Sequence, residues 1–168
     1  MRLLAIRGVL IGLCLTLPIG CGDRTGTPAN NRAAAELVIR KGGSVRVEGV
    51  SYPIDRLAQL PAGDLVLKSV DLAEKKFTDE DLQALTDLKA LEKLNLYGTG
   101  VTDKGIDLLL PLDALTELEL SYTLLTDDGF QKLKELKSLQ KLTLHGTKIS
   151  DDSVKSFQLR SSGVKIYR

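Results

Sequence analysis

The sequence predicts an α/β fold, a short right-handed solenoid with a parallel sheet on its concave side and helices on its convex side. The main observation is a repeat of 24 residues, marked by Leu67, Leu91, Leu115 and Leu139. In each copy, apolar residues first alternate with polar ones, which is typical of a strand with one buried face. Each copy then places a hydroxyl residue and an aspartate before helically spaced apolar residues, which is typical of a helix start.

The strand of each copy is predicted from three apolar columns, of which the four leucines above are the first. The second column follows three residues later, and the third follows two residues after that. A strand with one buried face needs an apolar partner, so the strands of consecutive copies are expected to stack in parallel. The second and third columns are Val70, Leu94, Leu118 and Leu142, and Leu72, Leu96, Leu120 and Leu144.

The turn and the helix of each copy also recur by residue type. A hydroxyl residue is expected to cap the helix, and the aspartate after it faces the positive end of the helix dipole. Lys75 replaces the threonine of the other turns, so the first turn is expected to be looser. Arg160 interrupts the last apolar helix column, so the fourth helix is expected to fray at its end. The hydroxyl and aspartate pairs are Thr78-Asp79, Thr102-Asp103, Thr126-Asp127 and Ser150-Asp151.

Together these columns resemble the leucine-rich repeat of the LxxLxLxxTxITDxGL type, which is found in ribonuclease-inhibitor-like solenoids and in many bacterial surface proteins. The resemblance covers residues 67–168, and it departs from the pattern where Asp81 and Ser153 replace the glycines of the other copies, Gly105 and Gly129. It implies a curved sheet used for binding proteins and does not identify the ligand. It divides the chain into repeats 67–90, 91–114, 115–138 and 139–162, with a terminal strand at 163–168.

The N-terminal segment, residues 1–20, is predicted to be a signal peptide. Arg2 and Arg7 precede an apolar run of 13 residues, which is shorter than the roughly 20 residues that span a bilayer. The run ends in LPIGC, which resembles the bacterial lipobox. This resemblance implies that Cys21 is lipid-modified, and that the mature protein is a lipoprotein anchored in the bacterial cell envelope, on the periplasmic or surface side. An ordinary cleaved signal, or a cysteine without a role, is the alternative.

Two segments separate Cys21 from the repeats. Residues 21–31 are small, polar and interrupted by proline, so they are predicted to form a flexible tether. Residues 32–66 are predicted to be an N-terminal cap that covers the apolar edge of the first repeat. Its expected elements are a helix from Asn31 to Lys41, a strand from Ser44 to Val50, and a helical turn on the core through Ile54, Leu57 and Leu60.

Charge and motif content exclude several classes of function. The 23 basic and 22 acidic residues give a formal net charge of +1, which loss of Arg2 and Arg7 with the signal peptide would change to −1. This balance argues against a nucleic-acid partner, since phosphate binding requires a clustered basic surface. The sequence contains no phosphate-binding loop, Cys/His cluster or nucleotide fingerprint, so no cofactor is implied.

The polar residues between the buried strand positions, with those that directly follow the strands, are predicted to form the concave face. Tyrosines there are the anchor type that dominates interfaces, which favours a protein or peptide ligand. The alternative is a solvated face on which Lys93, Glu117 and Lys141 pair with each other, each pair contributing about 0 to 1 kcal/mol. The candidate binding residues are Lys93, Asn95, Tyr97, Glu117, Glu119, Tyr122, Lys141, Thr143, His145 and Tyr167.

The repeat also brings together residue types used in catalysis and in metal binding. Ser121, His145 and Glu119 fall within one patch, but the patch is open to water and lacks oxyanion donors, so no catalytic activity is predicted. The row of aspartates could bind calcium, but helix starts account for each of them and no metal is predicted. The predicted function is a non-catalytic protein-binding module tethered to the envelope. The alternative is a structural or spacer lipoprotein without a specific ligand.

Overall fold

The computed structural model describes residues 28–168 and confirms the predicted α/β solenoid, one sheet packed against a row of helices. The strands are β1 Ser44–Val47, β2 Leu67–Asp71, β3 Lys93–Asn95, β4 Glu117–Glu119, β5 Lys141–Thr143 and β6 Lys165–Tyr167. The helices are α1 Pro28–Arg40, α2 Asp79–Leu82, α3 Asp103–Leu109, α4 Asp127–Lys132 and α5 Asp151–Arg160. Short 3-10 helices lie at Leu57–Gln59, Gln83–Leu85 and Leu133–Glu135.

The strand order in the sheet follows the order in the chain, from β1 to β6. Strands β2 to β6 are parallel, and β1 pairs with β2 in the antiparallel direction. The register places Leu94 opposite Leu118, and Leu118 opposite Leu142. One step of the 24-residue repeat in the sequence is therefore one step across the sheet.

The core lies between the sheet and the helices and is built from the predicted columns. Leu118 in the central strand is 2% exposed, and Leu94 and Leu142 on either side are equally buried. On the helix side, the rings of Phe130 and Phe157 pack with their centroids 4.7 Å apart. The apolar columns of the sequence thus identify the buried face of both the strands and the helices.

The aspartates at the starts of α2, α3 and α4 each bind the hydroxyl residue of the following repeat. Oδ1 of Asp103 accepts a hydrogen bond from the main-chain N–H of Thr126 at 2.8 Å, and Oδ2 accepts one from the Thr126 hydroxyl at 2.6 Å. The same two bonds join Asp79 to Thr102 and Asp127 to Ser150. We refer to these three pairs as the aspartate interlocks.

The interlocks explain the glycines at the third position of α3 and α4. A Cβ atom on Gly105 would lie 2.4 Å from Oδ1 of Asp79, and one on Gly129 would lie 2.3 Å from Oδ1 of Asp103. The carboxylate of the preceding repeat therefore occupies the space of the missing side chain. The sequence pattern assigns these aspartates to their own helices and does not indicate this contact with the next repeat.

The cap closes the first repeat through α1 and β1. Oδ1 of the buried Asn31 accepts a hydrogen bond from the N–H of Leu67 at 3.1 Å. The ammonium group of Lys41 lies 2.8 Å from Asp81. Burial alone would raise the pKa of Asp81, but the hydrogen bonds from Lys41 and Thr78 hold it below its ordinary value. The outer edge of β1 is covered as well, because Val45 exchanges two main-chain hydrogen bonds with Ile54.

Several local expectations differ from the structure. Helix α1 begins at Pro28, inside the predicted tether, and β1 ends at Val47 rather than Val50. Of the predicted helical turn on the core, Ile54 is fully buried, Leu60 is partly buried and Leu57 is 43% exposed. The signal peptide, Cys21 and most of the predicted tether lie outside the described residues.

The structure bears on two predictions about the ends of the repeats. The first turn keeps the main-chain hydrogen bond from the Lys75 N–H to the Leu72 carbonyl at 3.1 Å, but it lacks the second bond that the Thr99 hydroxyl donates to the Leu96 carbonyl at 2.7 Å in the next turn. Helix α5 does not fray before Arg160, because Phe157 anchors it in the core and its carbonyl accepts a bond from the N–H of Ser161. Loss of one apolar residue at the helix end is therefore not sufficient to end the helix.

Candidate protein-binding site

The structure brings the predicted binding residues together along consecutive strands and the turns that follow them. Lys93, Glu117 and Lys141 stand opposite one another in β3, β4 and β5, and the register continues to Lys165 in β6. A depression of about 230 Å³, lined by residues of β2 to β5, lies at the centre of this concave face. Tyr97, Tyr122 and His145 do not line this depression but follow β3, β4 and β5 by two or three residues, and we refer to these three positions as the rim of the concave face.

The centre of the face is occupied by an ion pair. The ammonium group of Lys93 lies 2.6 Å from Oε1 of Glu117, and the two side chains are 54% and 39% exposed. A pair this exposed contributes about 0 to 1 kcal/mol. Glu117 therefore pairs with the lysine on one side, and Lys141, its neighbour on the other side, forms no ion pair among residues 28–168.

Two of the predicted binding residues also stabilise the ends of their own strands. Oδ1 of Asn95 accepts a hydrogen bond from the N–H of Tyr97 at 3.0 Å, and Oε1 of Glu119 accepts one from the N–H of Ser121 at 2.8 Å. Asp71 forms the equivalent bond with the N–H of Ala73. These bonds satisfy main-chain donors where each strand turns away from the sheet. The sequence pattern alone does not reveal this structural role.

The tyrosines at the rim form an exposed aromatic cluster. The rings of Tyr97 and Tyr122 meet edge to face with centroids 5.3 Å apart, and Tyr122 is 58% exposed. Tyr122 has a positive φ of 55°, at the position that Gly98 and Gly146 occupy in the neighbouring repeats. A Cβ on Gly146 would lie 2.6 Å from the ring of Tyr122, so the ring lies against that glycine.

A positive φ is uncommon outside glycine and is strained for a bulky side chain. Glu74 adopts it in the first repeat, where its side chain is also exposed. The strain at Tyr122 is therefore a property of the turn rather than an isolated defect. The recurrence of glycine in this column was the sequence signal from which the backbone conformation of Tyr122 could have been inferred.

The serine, histidine and carboxylate considered for catalysis are neighbours, but their polar atoms are engaged with the main chain. Ser121 is 2% exposed, and its hydroxyl oxygen accepts a hydrogen bond from the main-chain N–H of His145 at 2.9 Å. Glu119 binds the N–H of Ser121 rather than an imidazole. The Ser121 hydroxyl is thus a buried structural group, while the side chain of His145 is exposed.

Three of the aspartates considered for calcium are the acceptors in the interlocks. Hydrogen bonds from the N–H and then the hydroxyl of Ser150 lower the pKa of Asp127 below its ordinary value. Asp151 has no following repeat in the described chain, and its carboxylate accepts a hydrogen bond from Arg168, which also donates to the Ile149 carbonyl at 2.7 Å. Within residues 28–168, no group of three acidic, cysteine or histidine residues is arranged to hold a metal ion.

A step of 24 residues, with three buried strand positions, a turn and a helix, defines the geometry described above. This is the leucine-rich-repeat fold. No protein-family model matches the sequence, and no match to a curated protein is found. Between residues 28 and 168, none of the helices combines the length and the apolar character needed to cross a membrane.

Comparison with solved structures returns leucine-rich-repeat proteins. A leucine-rich-repeat protein of Leptospira interrogans is 23% identical over 51% of this chain and 21% of its own, with a TM-score of 0.40. An internalin of Listeria monocytogenes is 20% identical over 60% of this chain and 34% of its own, with a TM-score of 0.41. The leucine-rich-repeat ectodomain of a receptor kinase from Arabidopsis thaliana is 14% identical over 85% of this chain and 93% of its own, with a TM-score of 0.42. The chain thus spans less than two thirds of the two bacterial proteins.

Proposed function

We propose that this protein is a non-catalytic protein-binding module that holds a protein or peptide on its concave face and is tethered to the bacterial cell envelope through a lipid on Cys21. The observation that carries the binding proposal is the exposed aromatic cluster of Tyr97 and Tyr122 at the rim of the face. Tyrosine offers a large, partly apolar contact area with a polar end, and it is enriched among the residues that dominate binding energies.

The backbone at Tyr122 supports the same proposal. Glycine is the residue that fits its positive φ best, and glycine stands at the corresponding position in the repeats on either side. The chain instead places a half-exposed aromatic ring there, next to a second tyrosine. An exposed ring held in an unfavourable backbone conformation is more readily explained by contact with a partner than by stability.

The spacer alternative is also supported by a specific observation. At the centre of the face, Lys93 pairs with Glu117, and Asn95 and Glu119 bind the main chain. A sheet whose central polar groups are satisfied internally needs no ligand. The two functions therefore differ at the aromatic rim, and a test of binding should change residues there.

The binding proposal is tested by crosslinking in native membranes followed by mass spectrometry. We expect Tyr97→Ala or His145→Ala to abolish a crosslinked partner with little change in thermal stability, because both positions lie on the rim. Lys155→Ala is the matched control, since this exposed residue lies on α5 on the opposite side of the solenoid. If every partner is retained in both rim variants, the spacer function is favoured.

The tether is tested separately at Cys21. The lipobox resemblance is the support for lipidation, and Cys21 precedes the first described helix. We expect Cys21→Ser to move the protein from the membrane fraction to the soluble envelope fraction without unfolding it. An unmodified Cys21 in the mass spectrum of the mature protein would contradict the lipid anchor.

A further inference from the structure

The end of the concave face nearest β6 carries two lysines that have no carboxylate partner in the described part of the chain. Lys141 in β5 and Lys165 in β6 are opposite each other in the register, and both are exposed. Neighbouring strands lie about 4.8 Å apart, so the two side chains leave the sheet one strand apart. The nearest acidic residue in the same row, Glu117, is already paired with Lys93 at 2.6 Å.

These lysines border a second depression on the concave face, with a volume of about 400 Å³. Tyr167 contributes an aromatic wall, and the ammonium group of Lys141 lies over its ring, 5.6 Å from the centroid. With the charge of Glu117 compensated by Lys93, the lining is left with two unmatched positive charges. The lining residues are Glu117, Gln140, Lys141, Gly163, Lys165 and Tyr167.

We propose that this depression binds acidic side chains of the protein or peptide segment held on the concave face, an inference that rests on the proposed function. A carboxylate between Lys141 and Lys165 would accept hydrogen bonds from both ammonium groups. The aromatic wall would contact the aliphatic part of an aspartate or glutamate side chain. The bound segment is therefore acidic, and its negative charges lie towards β6.

The restricted size of the charged surface favours acidic protein over nucleic acid or membrane. Nucleic acids and anionic bilayers are bound by extended basic surfaces, whose affinity grows with the number of lysines and arginines that contact them. Here the whole chain has a formal net charge of only +1, and the unmatched lysines of the concave face number two, in one depression beside a tyrosine. A local cationic and aromatic site fits individual carboxylates.

The test uses the full chain and a fluorescently labelled octapeptide of alternating glutamate and alanine, with binding followed by fluorescence anisotropy. We expect saturable binding that weakens as salt is raised, because exposed charges are screened. The variant Lys141→Gln/Lys165→Gln should bind about fivefold more weakly, the sum expected from two exposed ion pairs. The variant Lys134→Gln/Lys137→Gln, which removes the same charge from exposed positions between α4 and β5, should bind as the unmodified chain does.

Failure of the acidic peptide to bind would overturn the inference, and so would any of three binding patterns. One is an equal affinity for an octapeptide with glutamine in place of glutamate, and another is equal weakening in the two double variants. The third is binding to phosphatidylglycerol vesicles, but not to the peptide, that depends on Lys141 and Lys165. If the acidic peptide fails to bind while Tyr97→Ala still loses its crosslinked partner, only this inference fails. If no partner is lost in Tyr97→Ala either, the proposed function fails with it.

Discussion

The aspartate interlocks predict an unusual response to a glycine substitution in helix α4. At an exposed helical site, Gly→Ala stabilises a protein by about 1 kcal/mol, because alanine has the higher helix propensity. At Gly129, however, the new methyl group would lie 2.3 Å from Oδ1 of Asp103 and 2.7 Å from Cδ1 of Leu125. Overpacking of this kind destabilises by about 1 to 3 kcal/mol. We therefore expect Gly129→Ala to lower the free energy of unfolding by up to about 2 kcal/mol.

A double-mutant cycle with Asp103→Ala separates the two effects. This change removes the carboxylate together with its bonds to Thr126, so it is destabilising by itself. In that background, alanine at position 129 no longer meets the carboxylate and should be neutral or stabilising. The coupling energy between the two positions is then about 1 to 3 kcal/mol, measured by urea denaturation of the four proteins.

The fourth repeat provides an internal comparison. Ser153 stands at the position of Gly129, and its side chain is one of the groups that lower the pKa of Asp127, the carboxylate of the preceding repeat. A side chain is therefore tolerated at this position when it can donate to that carboxylate. We expect Gly129→Ser to be less destabilising than Gly129→Ala. If Gly129→Ala instead stabilised the protein by about 1 kcal/mol, as at an open helical site, the interlock argument would be refuted.

Two further predictions test the register and the acid stability of the solenoid. Leu118→Ala should destabilise by about 2 to 5 kcal/mol, because it opens a cavity between buried strands, whereas Glu119→Ala should remove only the bond to the Ser121 N–H, about 0.5 to 1.5 kcal/mol. Urea denaturation in which Glu119→Ala is the more harmful change would contradict the register. Because the pKa of Asp127 is lowered in the folded state, the unfolded state binds more protons at acidic pH, so the stabilisation is present above about pH 4 and is lost as the pH falls. Asp127→Asn should therefore lower the free energy of unfolding at neutral pH and make its decrease below about pH 5 less steep. An equally steep decrease in acid titrations of this variant would argue against the role of Asp127 in acid stability.

The fold could be predicted from the sequence because buried positions recur with the same spacing in every copy. Leu118 and its column required only the periodicity and the alternation of a one-faced strand. The role of Asp103 could not be obtained in this way, because an aspartate after a threonine fits its own helix start equally well. Its actual partner, Thr126, becomes a neighbour only when the repeats stack. Sequence pattern identifies which face is buried, but it does not assign a polar atom that has two satisfactory partners.

The candidate site was predictable in location and only partly in chemistry. Alternation places Lys93 and Glu117 on the open face, and the structure adds that they pair. Glu119 was expected to be available to a ligand, but one of its oxygens binds the turn that follows its strand. The sequence does not predict the site beside β6, because the unpaired charge of Lys141 depends on whether Glu117 pairs with Lys93 or with Lys141. Side-chain geometry decides this pairing, and the sequence pattern does not indicate it.

The aspartate interlocks also give the solenoid a direction. In each pair, the acceptor belongs to the earlier repeat and the donor to the later one. A chain that emerges from the ribosome from its N-terminus can therefore fold each new repeat against an acceptor that is already in place. Removing an early repeat leaves the N–H and the hydroxyl of the next helix start without their partner, whereas removing a late repeat leaves only a carboxylate exposed to water. We therefore expect truncations from the N-terminal side to be the more damaging, which hydrogen exchange at the N–H groups of Thr102 and Thr126 would reveal as earlier loss of protection.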